Sequence, residues 1–199
     1  QLAVLSRECS LLGRREVFSG KGAFGIFGDG KELPQLVMNH FFQNGDYRSG
    51  YYRDQTLLMA QGLLSISNIF AALYADLDLS REPMSGGRQM GGHFTTASRD
   101  KNGKWLEVVK LKNHSADVSP TGSQMPRLLG LALASKIYRS YSTKNKKKFS
   151  NNGNEIAWGT IGNASTSEGM FFETINAAGV MQVPMVLSIW DDGYGISVS

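Results

Sequence analysis

Residues 155–190, EIAWGTIGNASTSEGMFFETINAAGVMQVPMVLSIW, decide the fold that the sequence predicts. Two short apolar runs rich in β-branched residues, 155–161 and 183–190, flank a stretch with the composition of a helix. A strand, a helix and a second strand within about 36 residues form a βαβ unit, whose two strands are parallel and buried. The sequence therefore predicts an α/β fold, with a parallel sheet and helices on both of its faces.

Polar residues follow both predicted strands, at the edge where parallel sheets bind ligands beyond the carboxyl ends of their strands. Asn163 follows the first strand and Asp192 follows the second, and both carry the hard oxygen atoms that magnesium prefers. The start of the intervening helix, near 165–168, offers free N–H groups to an anion such as a diphosphate. The residues alone leave an alternative open, in which Asn163 is a turn residue and 191–193 form a solvated turn.

The rest of the chain predicts helices and glycine-rich loops around this unit. Helical patterns cover 2–18, 32–43, a long stretch at 55–76 that Gly62 to Ser67 can break, and a segment that starts at Pro126. Residues 46–54 predict an extended segment or loop, 83–117 a loop-rich region, and 142–154 a basic loop. The helix inside the βαβ unit has Thr166 or Ser167 as its N-cap residue.

Composition and charge limit the classes of function. The 199 residues, of which 41% are hydrophobic and 19% charged, suit one globular domain with a core, and no run of 18 apolar residues predicts a membrane span. Cys9 is the only cysteine, which excludes an intrachain disulfide and fits a reducing compartment. Much of the net charge of +4 lies in Lys144–Lys148, which predicts a solvated loop; nucleic-acid binding is disfavoured because no aromatic platform accompanies these lysines.

Residues 162–198 resemble the thiamine diphosphate motif of the α subunits of 2-oxo acid dehydrogenase decarboxylating components, which include the pyruvate and branched-chain enzymes. The family pattern Gly-(Asp/Glu)-Gly-Ala, Ser-Glu-Gly and Asn-Asn-x-Tyr-(Ala/Gly)-Ile-Ser reads here as GNAS, SEG and DDGYGIS. The acidic metal ligand of the family matches Asn163, and its asparagine matches Asp192, 29 positions later. The acid and the amide have exchanged places, so the formal charge of the ligand set is unchanged. Tyr194 matches a backbone carbonyl ligand of the metal, and Ala164 and Ser165 match cofactor-binding positions.

Two further stretches resemble the diphosphate contacts and the active-site channel of the family. GYYRDQT, residues 50–56, matches a Tyr-Arg-(Glu/Asp) segment and places Tyr52 and Arg53 on the diphosphate. GGRQMGGHF, residues 86–94, is similar to a branched-chain segment and places His93 near the channel as a candidate catalytic residue. Taken alone, Arg53 would be an exposed or ion-paired arginine and His93 a structural histidine, and both alternatives stay open.

SPTGSQMPRLLGLALASK, residues 119–136, resembles a Ser-Pro-Leu-Ala-Thr-Gln-Ile-Pro segment followed by a helix of small residues. The resemblance implies that Ser119 and Thr121 contact the cofactor, Thr121 through its backbone only. Ser123 and Gln124 match positions near a monovalent-cation site of the branched-chain enzymes.

The triplet Gly28-Asp29-Gly30 spells the start of the thiamine diphosphate motif but lacks its context. The position 29 residues after Asp29 is Leu58, inside a helical stretch, and no βαβ pattern surrounds the triplet. Asp29 is therefore predicted to be a loop residue that leads into the helix starting at Glu32.

The resemblance extends over residues 1–199 and implies a diphosphate-binding domain that is part of a longer protein. It implies oxidative decarboxylation of a 2-oxo acid with thiamine diphosphate and Mg²⁺, and acyl transfer to the lipoyl group of an acyltransferase partner. A pyrimidine-binding β-type domain, fused or separate, would complete the site in an oligomer, and this chain alone would be inactive. The cytoplasm, or the mitochondrial matrix of a eukaryote, is the expected compartment. A transketolase-like or acetoin-type enzyme and a non-catalytic α/β assembly domain remain alternatives.

Overall fold

The computed structural model describes residues 1–141 and 146–199, so part of the run Lys144–Lys148 lies outside the described residues. The described helices are α1 (Leu2–Phe18), α2 (Glu32–Phe41), α3 (Gln55–Ala60), α4 (Ile66–Leu73), α5 (Gln124–Ser140), α6 (Lys146–Phe149) and α7 (Gly169–Met181), with short 3-10 turns at Val108–Lys110 and Ala164–Ser167. The described strands are β1 (Tyr47–Ser49), β2 (Asn113–His114), β3 (Ala157–Gly162) and β4 (Met185–Trp190). The chain forms two compact units, Gln1–Phe41 with Tyr52–Phe94, and Phe42–Tyr51 with Thr95–Ser199.

The first unit contains the helices α1 to α4 around a small apolar core. Its buried cluster comprises Leu58, Met59, Leu64, Ile69 and Phe94. The predicted helices at 2–18 and 32–43 are confirmed, and the stretch 55–76 is indeed two helices. Ser65 begins α4 because its hydroxyl accepts a hydrogen bond from the N–H of Asn68 (3.1 Å), whose side chain in turn accepts from the N–H of Ser65.

The second unit contains a parallel sheet with the strand order β2-β1-β3-β4 in the described part of the chain. All three strand pairings are parallel, and β3 pairs with β4 from Ala157–Met185 to Gly162–Trp190. The predicted βαβ unit and the α/β fold class are therefore confirmed. The segment 46–54, predicted only as extended or loop, supplies β1, one of the two inner strands of the sheet.

Helix α5 covers one face of this sheet at short range. Leu128 lies against Gly159, where a Cβ atom would come within 2.2 Å of its Cδ2 atom, so the helix approaches β3 closely because Gly159 has no side chain. Met125, Leu128, Ala132, Ala157 and Ile161 form the buried cluster at this interface, and Phe171 of α7 packs against it. Trp158 points to the other face, where its ring lies 5.8 Å from that of Phe42.

Two local predictions are wrong. Neither Thr166 nor Ser167 is the N-cap of the helix between β3 and β4, because their hydroxyls donate to the carbonyl oxygens of Asn163 and Ala164 inside a 3-10 turn. Helix α7 begins after this turn, with Glu168 as its N-cap. The region 142–154, predicted as a basic loop, contains helix α6 in its described part.

The longest helices of the described residues are 17 residues long, and no helix there has the length and hydrophobicity that a bilayer crossing requires.

Candidate functional site

The carboxyl ends of β3 and β4 bring Asn163 and the turn after Trp190 together. The N–H of Asn163 donates to the carbonyl oxygen of Trp190 (3.4 Å). A Cβ atom on Gly195 would lie 2.8 Å from the Cβ atom of Ala164, so the turn after β4 folds against the turn after β3. The expected proximity of the two strand ends is confirmed, and the close approach in the second turn depends on a glycine.

The turn after β4 presents Asp192 and Tyr194 at the protein surface. The Oδ1 atom of Asp192 accepts a hydrogen bond from the N–H of Tyr194 (3.2 Å), and Asp191 does the same for Gly193 (2.9 Å). The predicted magnesium ligands are an amide oxygen from Asn163, a carboxylate from Asp192 and a backbone carbonyl, all of them hard oxygen donors. The described residues contain no cluster of three His, Cys, Asp or Glu residues for a metal. The predicted ligand set differs from such a cluster because it contains one carboxylate, one amide and one backbone carbonyl.

Helix α7 begins directly after the 3-10 turn that follows Asn163. Ser165 is part of the 3-10 turn, and the side chain of Glu168, the N-cap residue, makes no capping hydrogen bond to the first turn of α7. The first N–H groups of an α-helix have no partner within the helix, and the helix dipole makes that end positive. The predicted helix start near 165–168 is thus a 3-10 turn over Ala164–Ser167 followed by α7 from Gly169, and the anion site there stays a prediction.

The loop that carries Ser119 and Thr121 reaches the same helix start. A Cβ atom on Gly122 would lie 3.3 Å from the Cβ atom of Glu168, the N-cap of α7. Both Ser119 and Thr121 are exposed in this loop. The structure therefore brings the predicted residues Ser119, Thr121, Ser165 and Asn163 to one edge of the sheet.

A buried ion pair holds this loop in place. Arg48 of β1 contacts Asp117, two residues before Ser119, through its Nη2 atom, and both side chains are fully buried. The Nε atom of Arg127 donates to the hydroxyl of Ser49 (3.0 Å), at the end of the same strand. Burial lowers the pKa of Arg127, while Asp117 acts in the opposite direction. Asp117 is thus the carboxylate that neutralises the buried Arg48, and its charge also favours the charged form of the Arg127 guanidinium.

His114, on β2, belongs to the same interior region. Its ring stacks on Phe42 with centroids 5.5 Å apart and planes 7° apart. Burial lowers its pKa well below the ordinary value, and the charges of Arg48 and Lys112 lower it further. His114 is therefore a neutral, structural histidine at neutral pH.

Ser123 and Gln124, the predicted neighbours of a monovalent cation, make hydrogen bonds within the protein. The Ser123 hydroxyl donates to the carbonyl oxygen of Pro120, and the Gln124 amide donates to that of Thr160 in β3 (3.0 Å). The carbonyl oxygen of Gln124 accepts from the hydroxyl of Ser49 (2.9 Å). These contacts fix the first turn of α5 against β1 and β3.

The first unit brings Tyr52, Arg53 and His93 together. The rings of Tyr52 and His93 have centroids 6.3 Å apart, and the guanidinium of Arg53 lies 5.9 Å from the centre of the Tyr52 ring. The Nδ1 atom of His93 lies 3.0 Å from the carbonyl oxygen of Met90, to which its N–H donates a hydrogen bond. The Nε2 atom of the neutral ring is then an acceptor.

The triplet Gly28-Asp29-Gly30 has a structural role in the same unit. A Cβ atom on Gly28 would lie 2.3 Å from the carbonyl oxygen of Arg53, so Gly28 lets the two backbones meet. Asp29 lies in a turn and forms an ion pair with Arg14 (2.8 Å), and α2 begins at Glu32. The prediction that Asp29 is a loop residue is confirmed.

Tyr51 is a residue near the site that the sequence analysis did not select. It is buried, and its hydroxyl and the hydroxyl of Ser165 lie 3.8 Å and 3.9 Å from the position of a Cβ atom on Gly162. The two adjacent tyrosines in GYYRD are a signal for this role, because alternate residues of an extended segment point to opposite sides.

The fold and these turns define an α/β protein whose parallel sheet has polar turns and a helix start at the carboxyl ends of β3 and β4. The chain belongs to the family described as dehydrogenase E1 component, whose sequence profile matches residues 4–199. It is 30% identical, over 181 residues, to 2-oxoisovalerate dehydrogenase subunit alpha of Bacillus subtilis (strain 168). That alignment covers 90% of this chain and 46% of the relative, so the chain spans about half the length of that protein. The resemblance to the α subunits of 2-oxo acid dehydrogenases is confirmed.

Proposed function

We propose that this chain supplies the diphosphate- and magnesium-binding part of a 2-oxo acid dehydrogenase decarboxylating component. The observation that carries the proposal is the meeting of Asn163 with the turn 191–195 at the carboxyl ends of two parallel strands, in a member of the dehydrogenase E1 family. Bound thiamine diphosphate would supply the chemistry of decarboxylation and of acyl transfer to a lipoyl group on an acyltransferase partner.

The metal ligands proposed are the side chains of Asn163 and Asp192 and the carbonyl oxygen of Tyr194. In the family pattern the acid stands at position 163 and the amide at position 192. This chain has the two exchanged, so its ligand set has the same formal charge. Magnesium commonly binds through one or two protein carboxylates and through substrate phosphates, so this small set is sufficient when a diphosphate is present.

The diphosphate is proposed to lie against the turn of Ala164 and Ser165 and the start of α7, with the backbone of Ser119 and Thr121 beside it. N–H groups at a helix start orient phosphate oxygens without a side-chain charge. A monovalent cation near Ser123 and Gln124 would stabilise the loop that carries Ser119 and Thr121.

Tyr52 and Arg53 are proposed to bind the diphosphate as well. A guanidinium binds phosphate oxygens through two parallel hydrogen bonds, and the contact between the carbonyl oxygen of Arg53 and Gly28 fixes its backbone. His93, next to Tyr52, is the candidate for proton transfer to or from substrate, through its Nε2 atom.

A pyrimidine-binding β-type domain is the proposed partner, and the 2-oxo acid is proposed to be branched, as the name of the relative suggests. Support for a partner comes from apolar side chains that α7 leaves in solvent, among them Phe172 (62% exposed) and Val180 (77% exposed). The chain alone is expected to be inactive. The single, buried Cys9 is consistent with a reducing compartment such as the cytoplasm.

Titration of thiamine diphosphate, with and without magnesium, into the protein assembled with its β-type partner tests this proposal. We expect binding that requires the metal and that Asp192→Ala weakens about tenfold or more, by loss of a metal ligand. Asp191→Ala is the matched control, because Asp191 is the neighbouring carboxylate and makes the equivalent turn contact. Equal losses in both variants, or binding that is independent of magnesium, would contradict the assignment. No binding at all would favour a non-catalytic assembly domain.

A further inference from the structure

A second concave region lies at the opposite edge of the sheet from the proposed cofactor site. This pocket, of about 1000 Å³, is lined by residues that precede the strands of the second unit: Asn44, Glu107, Val109, Lys110, Lys146–Lys148, Ser150, Asn151 and Asn152. Because the strands are parallel, their amino ends share one edge, whereas Asn163 and Asp192 follow the carboxyl ends. The six residues of β3 separate the two edges by about 20 Å.

The lining of this pocket is strongly basic. It has four lysines and one glutamate, an excess of three positive charges. Glu107 forms an ion pair with Lys110, and the hydrogen bond from Lys110, together with the charges of Lys110 and Lys148, lowers the pKa of its carboxyl group. The single carboxylate of the lining is thus already balanced, and Lys146 and Lys147 add positive charge beyond it.

The wall that carries these lysines is held by specific contacts. Phe149, at the end of α6, packs edge-on against the ring of Trp105 with centroids 5.2 Å apart. The hydroxyl of Ser150 donates to the buried carboxylate of Glu155 (2.7 Å), and the N–H of Asn151 donates to the same group. The lysines of α6 therefore project from a segment that is fixed at its carboxyl end.

We propose that this pocket binds an acidic segment of a partner protein, through the carboxylates of its Asp and Glu side chains. Lysine ammonium groups are compact charges that attract carboxylates, and the amides of Asn44, Asn151 and Asn152 can donate hydrogen bonds to the same oxygens. The described lining residues include neither an aromatic ring nor an arginine, which bases and phosphates use for stacking and bidentate binding. A protein carboxylate therefore matches the lining better than a nucleic acid does.

Fluorescence anisotropy of labelled octaglutamate, titrated with the full chain at low and at physiological ionic strength, tests this inference. We expect salt-sensitive binding that the double charge reversal Lys146→Glu/Lys148→Glu weakens about tenfold, equivalent to about 1.4 kcal/mol. The double variant Lys101→Glu/Lys104→Glu changes the net charge equally at two exposed lysines outside the pocket, and its affinity should stay within about twofold of the unmodified chain. Lys146→Gln/Lys148→Gln should give an intermediate loss, and circular dichroism should show that all variants fold.

Three results would overturn the proposal: absence of binding at low ionic strength, equal losses in the two charge-reversal variants, or a single-stranded oligoribonucleotide of matched charge that binds more tightly than octaglutamate. The last result would assign the pocket to nucleic acid. The outcome does not depend on the proposed cofactor function, because no residue of the pocket belongs to the cofactor site.

Discussion

Replacing Asp117 by asparagine should destabilise the protein strongly, because it leaves the buried guanidinium of Arg48 without its carboxylate. Both side chains of this pair are fully buried, and the positive charge of Arg127 acts on the same region. Removing one member of a buried ion pair costs about 3–5 kcal/mol. Since domains are stable by about 5–15 kcal/mol, the loss is a large part of the total free energy of unfolding. For a chain of this size it corresponds to a decrease in Tm of roughly 6–20 °C.

Urea unfolding, followed by circular dichroism and tryptophan fluorescence, measures this loss as a change in midpoint at constant slope. The matched control is Asp29→Asn, which breaks a similar arginine–aspartate pair, Arg14–Asp29, whose side chains are 49% and 21% exposed. Solvent screens that pair, so the expected cost is about 0–1 kcal/mol.

A double variant separates charge from packing at the buried site. Arg48→Met/Asp117→Leu removes both charges and should be more stable than Asp117→Asn alone, because no uncompensated charge remains in the interior. The reasoning is refuted if Asp117→Asn costs no more than Asp29→Asn, or if the double variant is the least stable of the three.

Three further predictions concern packing, pH and a loop. Gly159→Ala should cost about 1–3 kcal/mol in urea unfolding, since its Cβ atom would overlap Leu128, and that cost should be smaller in a Leu128→Ala background, where the overlapping atoms are absent; an unchanged midpoint would contradict the close approach. Because burial lowers the pKa of His114, the unfolded chain binds a proton below about pH 6.5 that the folded chain does not. The free energy of unfolding should therefore fall by up to about 1.4 kcal/mol per pH unit as the pH decreases from there. This slope should shrink in His114→Gln, and an unchanged slope in that variant would assign the pH dependence to another group. Glu82→Ala should speed proteolysis near 82–93, because the buried Glu82 carboxylate accepts hydrogen bonds from the backbone N–H groups of Met84, Ser85 and Gly87, whereas the exposed Glu173→Ala should have no effect.

Local pattern and spacing were enough to predict the βαβ unit and the position of its ligand edge. Two apolar runs joined by a helix have few alternatives, because parallel strands need a crossover and their carboxyl ends then meet at one edge. This is why Asn163 and the turn after Trp190 could be paired from the sequence although GNAS does not spell the family motif. The same test rejected Gly28-Asp29-Gly30, where no second strand follows at the required distance.

The inner strand β1 and the neutralisation of its Arg48 depend on contacts between residues that are distant in sequence. β1 has only three residues, and Arg48 in its middle marks it as polar, since arginine is rarely buried without a partner. Its partner Asp117 lies 69 positions away, so nothing near Arg48 in the chain indicates that it can be buried. The lysines of α6 likewise line a pocket only because the fold places Asn44, which precedes β1, and Lys110, which precedes β2, beside them. The periodicity of apolar residues in the sequence indicates which face of a helix or strand is buried. The tertiary structure decides which charged side chains form pairs, because electrostatic interaction depends on distance in space.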